Sequence, residues 1–151
     1  MQVVSTTASA GTQVFVSVDL TALGNEAATQ FSVNFNPSIV SISNLSSPNL
    51  NPDVTIGTGV PAGSAITVNG SQALFGRIGV LVDSAGTFVS SPPARQVVTL
   101  RFTVSPTAPS VSTPITFVDA PIGRSTSDFL GNSLATAYVD GVITIQNGGS
   151  E

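Results

Sequence analysis

The chain has 151 residues, which is enough for one domain with a hydrophobic core. Only 8% of them are charged, against roughly 25% in an average globular domain, so Ser, Thr, Asn and Gln must keep the surface soluble. The net charge is −4 and the four basic residues are scattered arginines, which excludes a basic nucleic-acid surface and argues against an anionic membrane surface. No apolar run reaches the ~18 residues that membrane insertion as a helix requires.

The sequence contains no histidine, no cysteine and no lysine. This excludes Ser-His-Asp and Cys-His nucleophilic sites, thiolate metal sites and Schiff-base chemistry. A glycosidase-like carboxylate pair would need Asp83 with Asp119 or Asp128, and nothing in their spacing brings two together. Asp119, Asp128 and Asp140 are also too scattered for a calcium loop and fit solvated turns better. We therefore predict no enzyme activity, no metal and no cofactor.

Glycine and proline occur throughout and divide the chain into short segments, a pattern typical of an all-β sandwich with little or no helix. Residues 1–146 are predicted to form one domain, and residues 147–151 to begin a linker. In chain order, we predict strands at residues 3–8, 14–20, 27–35, 39–43, 65–68, 73–83, 97–104, 115–118 and 138–146, with a short one near 54–56 and irregular structure over 119–135.

The clearest segment is residues 27–43. Phe31, Val33 and Phe35 alternate with Gln30, Ser32 and Asn34, which predicts a strand with one buried face. Pro37 then stops the pairing because it has no N–H to donate. The Asn36-Pro37 corner is followed by an apolar, β-branched run that suits another strand.

Alternation in the segment 73–83 places Ile78, Val80 and Val82 in the core. The opposite face then carries Phe75, Arg77, Gly79 and Leu81, a small apolar patch with one guanidinium that would suit an interface. The alternative is that a loop such as residues 87–95 folds over the patch. Gly79 either keeps the face flat or marks a bulge.

The order of these motifs resembles the cohesin family, the dockerin-binding modules of cellulosomal scaffolds. The likeness lies in the Ala10-Gly11-Thr12 turn, the corner Phe35-Asn36-Pro37-Ser38-Ile39-Val40, the strands on either side of the 84–95 loop, and the ending Asp140-Gly141-Val142-Ile143-Thr144-Ile145. It covers about residues 3–146. Asn36 stands where the family usually has Asp, and lysine is absent, so the chain looks more like the divergent modules of bacterial surface proteins.

The resemblance implies an all-β, nine-stranded jelly-roll sandwich of two antiparallel sheets without catalytic activity. It also implies a dockerin-like protein partner, docked on the flat face formed by the third, fifth, sixth and eighth strands. The residues that this implies for the face or its rim are Gln30, Ser32, Asn34, Phe75, Arg77, Gly79, Leu81 and Arg124.

Two functions remain open. The first is a secreted or surface-attached binding module. The second is a structural spacer or self-assembling subunit of an extracellular surface protein or fibre, since low charge and β-branched edges permit strand addition between copies. The first residues lack the features of a signal peptide, so we expect the chain to begin inside a larger precursor. With aromatics at 6% and no tryptophan, carbohydrate binding by stacking is disfavoured.

Overall fold

Alternating apolar side chains build a sandwich of short strands in the computed structural model, which describes residues 1–43, 53–88 and 94–147. The elements of these ranges are β1 (Gln2–Val3), β2 (Thr6–Ala8), β3 (Gln13–Leu20), β4 (Ala28–Asn34), β5 (Val40–Ser41), β6 (Val54–Ile56), β7 (Ala65–Asn69), a 3₁₀ turn (Ala73–Phe75), β8 (Arg77–Asp83), β9 (Arg95–Val104), β10 (Ser112–Val118), β11 (Ser125–Ser127), β12 (Ser133–Leu134) and β13 (Gly141–Ile145). In this part of the chain no helix is long and apolar enough to cross a membrane.

The strands form two sheets. The smaller sheet has the order β1-β3-β9-β5, with β6 also paired to β9. In the larger sheet the order is β12-β11-β4-β10-β13-β2, and β8 and then β7 extend it from the other side of β4. The predicted all-β jelly-roll sandwich is confirmed. One pairing departs from two purely antiparallel sheets, because β2 runs parallel to β13.

The core lies between the sheets and is filled by the inward residues of each strand. From the larger sheet it receives Phe31, Val33, Ile78 and Val80, all fully buried. The smaller sheet contributes a matching row from β3 and β9, and Phe35 meets Phe102 edge to face at a ring distance of 5.2 Å. Burying each such side chain is worth about 1.5–3 kcal/mol, so this core is what fixes the register of β4 and β8.

The Asn36-Pro37 corner carries the chain from the larger sheet to the smaller one, because β4 pairs with β8 and β10 whereas β5 pairs with β9. The Asn36 side-chain oxygen accepts a 2.9 Å hydrogen bond from the Ser38 N–H, and its main-chain oxygen accepts one from Val40. This local bonding holds the turn and explains why a short polar residue precedes the proline.

Several of the predicted boundaries were wrong. The strand expected from residue 73 begins only at Arg77, because residues 73–75 form a 3₁₀ turn closed by Gly76 at φ 85°. The region 119–135 is not wholly irregular, since it contains β11 and β12. The last strand begins at Gly141 rather than residue 138.

The expected linker, residues 147–151, is described only at its first residue. Asn147 is still attached to the domain, because its side-chain amide donates a 2.7 Å hydrogen bond to the Ala108 carbonyl. The remaining four residues lie outside the described ranges. The domain and linker limits stay predictions.

Candidate functional site

The face of β7, β8, β4 and β10 that points away from the core is the surface on which sequence reasoning placed a partner. We call it the outer face. Cross-strand pairing sets Ser32 beside Gly79, Gln30 beside Leu81 and Asn34 beside Arg77 across the β4–β8 ladder. The residues of β4 and β8 that alternate with these three pairs point their side chains into the core, so the pairs themselves lie on one surface.

The centre of this face is covered by the loop of residues 119–124, which connects β10 to β11. A Cβ built on Gly79 would lie 2.6 Å from Ile122 Cγ1, so the isoleucine side chain occupies the space that any other residue would need. Ser32 Oγ accepts a 2.8 Å hydrogen bond from the Ile122 N–H and donates a 2.7 Å bond to its carbonyl. Both backbone groups of Ile122 are therefore fixed to β4.

The two ends of the 119–124 loop are fixed as well. Arg124 binds Asp119 through its Nε and Nη2, at 2.9 and 3.0 Å, and its guanidinium lies 5.2 Å from the ring centre of Tyr138. The same Arg124 contacts lower the pKa of the Asp119 carboxyl to about 2. Gln30 adds a 2.9 Å bond from its side-chain amide to the Gly123 carbonyl. Ion pair, cation–π contact and backbone bonds together hold the loop against the sheet.

The expectation that Ser32 and Gly79 present themselves to a partner was wrong, because both are buried under Ile122. Neither alternative for Gly79 holds: the register of β4 and β8 is unbroken at this position, so there is no bulge, and the face there is not open. The alternative cover was the loop of residues 87–95, of which residues 89–93 lie outside the described ranges.

The end of the outer face nearest the 3₁₀ turn is uncovered. Leu74 is 89% exposed and Phe75 is 73% exposed, side by side on the turn rather than on a strand. Arg77 follows after Gly76; it is half-buried and makes no salt bridge with the described residues. Asn34 beside it is exposed, and Leu81 further along the strand is half-buried.

The opposite surface, on the smaller sheet, is built differently. Phe15 is its exposed aromatic, at 64%, and its cross-strand neighbour is Arg101. Arg101 binds Asp53 through two nitrogens, each at 2.8 Å, and the Asp53 side chain is only 6% exposed. The guanidinium on this side is thus already used within the domain, whereas Arg77 on the outer face makes no salt bridge with any described residue.

Of the four acidic residues weighed as catalytic or metal-binding candidates, Asp119, Asp128 and Asp140 accept hydrogen bonds within the domain, whereas Asp83 is exposed at the end of β8. Asp128 accepts hydrogen bonds from the backbone N–H groups of Asn132 and Leu130, which lower the pKa of its carboxyl. Asp140 accepts a 2.9 Å hydrogen bond from the Phe117 N–H. Within the described ranges, no three acidic side chains come together as a metal site would require.

Comparison with solved structures gives the architecture a known counterpart. The seventh ScaB type I cohesin of Pseudobacteroides cellulosolvens superimposes with a TM-score of 0.76 at 15% identity, covering 99% of this chain and 92% of that one. This is the cohesin fold. The non-cellulosomal cohesin of the archaeon Archaeoglobus fulgidus gives a TM-score of 0.74 at 16% identity, covering 97% of this chain and 89% of the other.

A third structure with the cohesin fold is the OlpA cohesin from a type I cohesin–dockerin complex of Clostridium thermocellum. It matches with a TM-score of 0.75 at 16% identity over 95% of this chain and 96% of that one. No protein-family model and no curated protein matches the sequence. The cohesin resemblance drawn from motif order is therefore confirmed at the level of the fold.

Sequence reasoning missed Ile122 and Leu74. The signal for Ile122 was Gly79, since a glycine inside a strand marks close approach by another segment, but the sequence does not say which segment approaches. The signal for Leu74 was its position beside Phe75, which was obscured when the 3₁₀ turn was interpreted as strand.

Proposed function

We propose that this chain is a non-catalytic protein-binding module that captures a dockerin or another surface-protein partner on the uncovered end of the outer face. The observation that carries the proposal is the grouping of Leu74 and Phe75, both largely exposed, beside Arg77, which forms no salt bridge with the described residues. The cohesin fold supports it, because a cohesin of this fold was solved in complex with a dockerin.

The exposed pair is held in a fixed position, which favours binding. Gly76 closes the 3₁₀ turn at φ 85°, and a Cβ on it would lie 2.2 Å from the Phe35 carbonyl oxygen. The turn is therefore packed tightly against the end of β4. Because the turn is ordered before a partner arrives, little conformational entropy is lost when Leu74 and Phe75 are covered.

The charges of the face would also orient a partner. Arg77 begins β8 and the exposed Asp83 ends it, and their side chains lie on the same face of the strand. Six steps along the strand, of about 3.3 Å each, separate them by about 20 Å. The partner should place a carboxylate near Arg77 and a basic group near Asp83, and charge pairs of this kind set orientation more than affinity.

Three observations support a binding role without catalysis in an exported surface protein. The sequence has no histidine, cysteine or lysine. The carboxylates of Asp119, Asp128 and Asp140 are engaged in hydrogen bonds within the domain. Only 8% of the residues are charged, so the surface relies on uncharged polar residues, as is common among extracellular β-modules.

The test is biolayer interferometry of the chain against dockerin modules encoded in the same genome. Phe75→Ser and Arg77→Glu should each weaken the complex at least about tenfold, as expected for central interface residues. Phe15→Ser is the matched control, because it removes a similarly exposed phenylalanine from the opposite sheet and should leave binding unchanged.

A charge exchange checks the orientation. An Asp→Arg or Glu→Arg change on the partner should restore binding to Arg77→Glu. A dockerin is ruled out as the partner if no dockerin of the genome binds at about 10 μM. The proposed surface is wrong if Phe15→Ser weakens binding as much as Phe75→Ser does.

A further inference from the structure

Strand β7 (Ala65–Asn69) forms an edge of the larger sheet and pairs with β8 on one side only. No strand of the described ranges pairs with its other side. Residues 54–76, which include β7, contain no charged residue. Sheet edges are normally protected against pairing by charges, prolines or bulges, and β7 itself carries none of these.

Hydrogen bonds at the two ends of β8 show which backbone groups of β7 are free. The Ser84 N–H donates to the Ala27 carbonyl, and the Gly76 carbonyl accepts from the Phe35 N–H. The backbone N–H and C=O groups of the even-numbered residues of β8 therefore point towards β4. The odd-numbered groups must point towards β7, because backbone groups alternate along a strand. Their partners in the register are Ala65, Thr67 and Asn69.

The N–H and C=O groups of Ile66 and Val68 therefore point to the open edge. None of them takes part in the turn and loop hydrogen bonds of the described residues. The flanking positions are already used, since the Ser64 N–H donates to Pro61 and the Gly70 carbonyl accepts from Ala73. The open edge thus offers two donors and two acceptors, placed symmetrically about Thr67.

We propose that two copies of this chain pair through β7, antiparallel and centred on Thr67, to form one continuous sheet across a two-fold axis. In this register Ile66 of each copy exchanges both backbone hydrogen bonds with Val68 of the other, so that all four open groups of each strand are satisfied. Thr67 then lies opposite its own copy as a pair without backbone hydrogen bonds.

Side chains and charge favour a second copy as the occupant. Ile66 and Val68 point towards the core but are only half-buried, because β7 is at the edge, and an added strand would cover them. At a two-fold contact, a residue near the axis faces the same residue of the other copy, so any charge there would face a like charge. In a chain of net charge −4, an uncharged edge is what such a contact requires.

The first test uses cross-linking. The chain has no cysteine, so Thr67→Cys introduces one thiol at the axis, where the Cα atoms of facing residues would be about 4.5 Å apart and compatible with a disulfide. Thr7→Cys is the matched control, since Thr7 is exposed on β2 at the opposite edge of the same sheet. Thr67→Cys should form disulfide dimers at least about tenfold faster at equal concentration. Equal rates would overturn the proposal.

The second test is sedimentation equilibrium up to about 1 mM, because an interface of one strand pair is small and its dimer should be weak, on the order of 100 μM. Thr67→Lys and Thr67→Glu should each raise the dimer dissociation constant at least about tenfold by placing like charges together, and mixing the two variants should restore dimers. A strictly monomeric wild type, or variants that dimerise as the wild type does, would refute the pairing. No dockerin enters either experiment, so this result is independent of the proposed function.

Discussion

Replacing Gly79 by alanine should lift the 119–124 loop from the sheet. The new Cβ would lie 2.6 Å and 2.7 Å from the Cγ1 and Cδ1 atoms of Ile122, about 1 Å closer than an ordinary carbon contact. Ile122 cannot withdraw easily, because its N–H and carbonyl are both bonded to Ser32. Overpacking of this kind costs about 1–3 kcal/mol. Removing a glycine from a strand returns about 0.5–1 kcal/mol, so we expect a net loss of about 0.5–2 kcal/mol.

Urea unfolding of four proteins measures the effect: wild type, Gly79→Ala, Ile122→Ala and the double variant. The cost of Gly79→Ala should nearly disappear in the Ile122→Ala background, giving a coupling energy of about 1 kcal/mol. Gly86→Ala is the control, because among the described residues no heavy atom beyond its chain neighbours lies within 4 Å of its Cβ position, and it should stay within about 0.5 kcal/mol of wild type. If Gly79→Ala is neutral, or costs the same with and without Ile122, the account of the covered face is wrong.

Three further outcomes are expected. Arg101→Ala should lower the free energy of unfolding in urea by about 3–5 kcal/mol, because the buried Asp53 carboxylate loses its guanidinium, and the added Asp53→Ala change should recover part of the loss. The pKa of Asp119 falls from 3.8 to about 2 on folding next to Arg124. The free energy by which the wild type is more stable than Asp119→Asn should therefore be fully present above the higher of these pKa values and should disappear as the pH falls to the lower one. Thermal melts across that pH range measure the difference. A loss that grows above neutral pH would contradict this sign. Glu26→Ala should lower the free energy of unfolding in urea by about 1.5–3 kcal/mol, because the buried carboxylate accepts hydrogen bonds from two neighbouring backbone N–H groups. A neutral result would show that water takes the place of the carboxylate.

The fold could be predicted because its signals are local and repeated. Alternation in β3, β4, β8 and β9 identifies which residues face the core, and burial of those residues leaves little freedom in the register. The Asn36-Pro37 corner carries its own hydrogen bonds, so the break between two strands was visible in two adjacent residues. Motif order then led to the cohesin resemblance without any matching family model.

The candidate site could be predicted only in part. Phe75 and Arg77 were correctly placed outside the core, although the 3₁₀ turn changes where Phe75 points. The burial of Ser32 depends on Ile122, which is 90 residues away along the chain. No pattern local to either residue encodes that contact.

The sequence by itself determined the class of fold, the inward face of each main strand and the absence of histidine, cysteine and lysine as catalytic groups. These follow from composition and from a period of two, which are properties of neighbouring residues. Tertiary structure decided which outward residues are surface. A side chain that points away from the core is exposed only if no other segment lies over it, and here Ile122 covers Ser32 and Gly79 while Leu74 and Phe75 stay open. That outcome is set by contacts between distant segments, which strand periodicity cannot report.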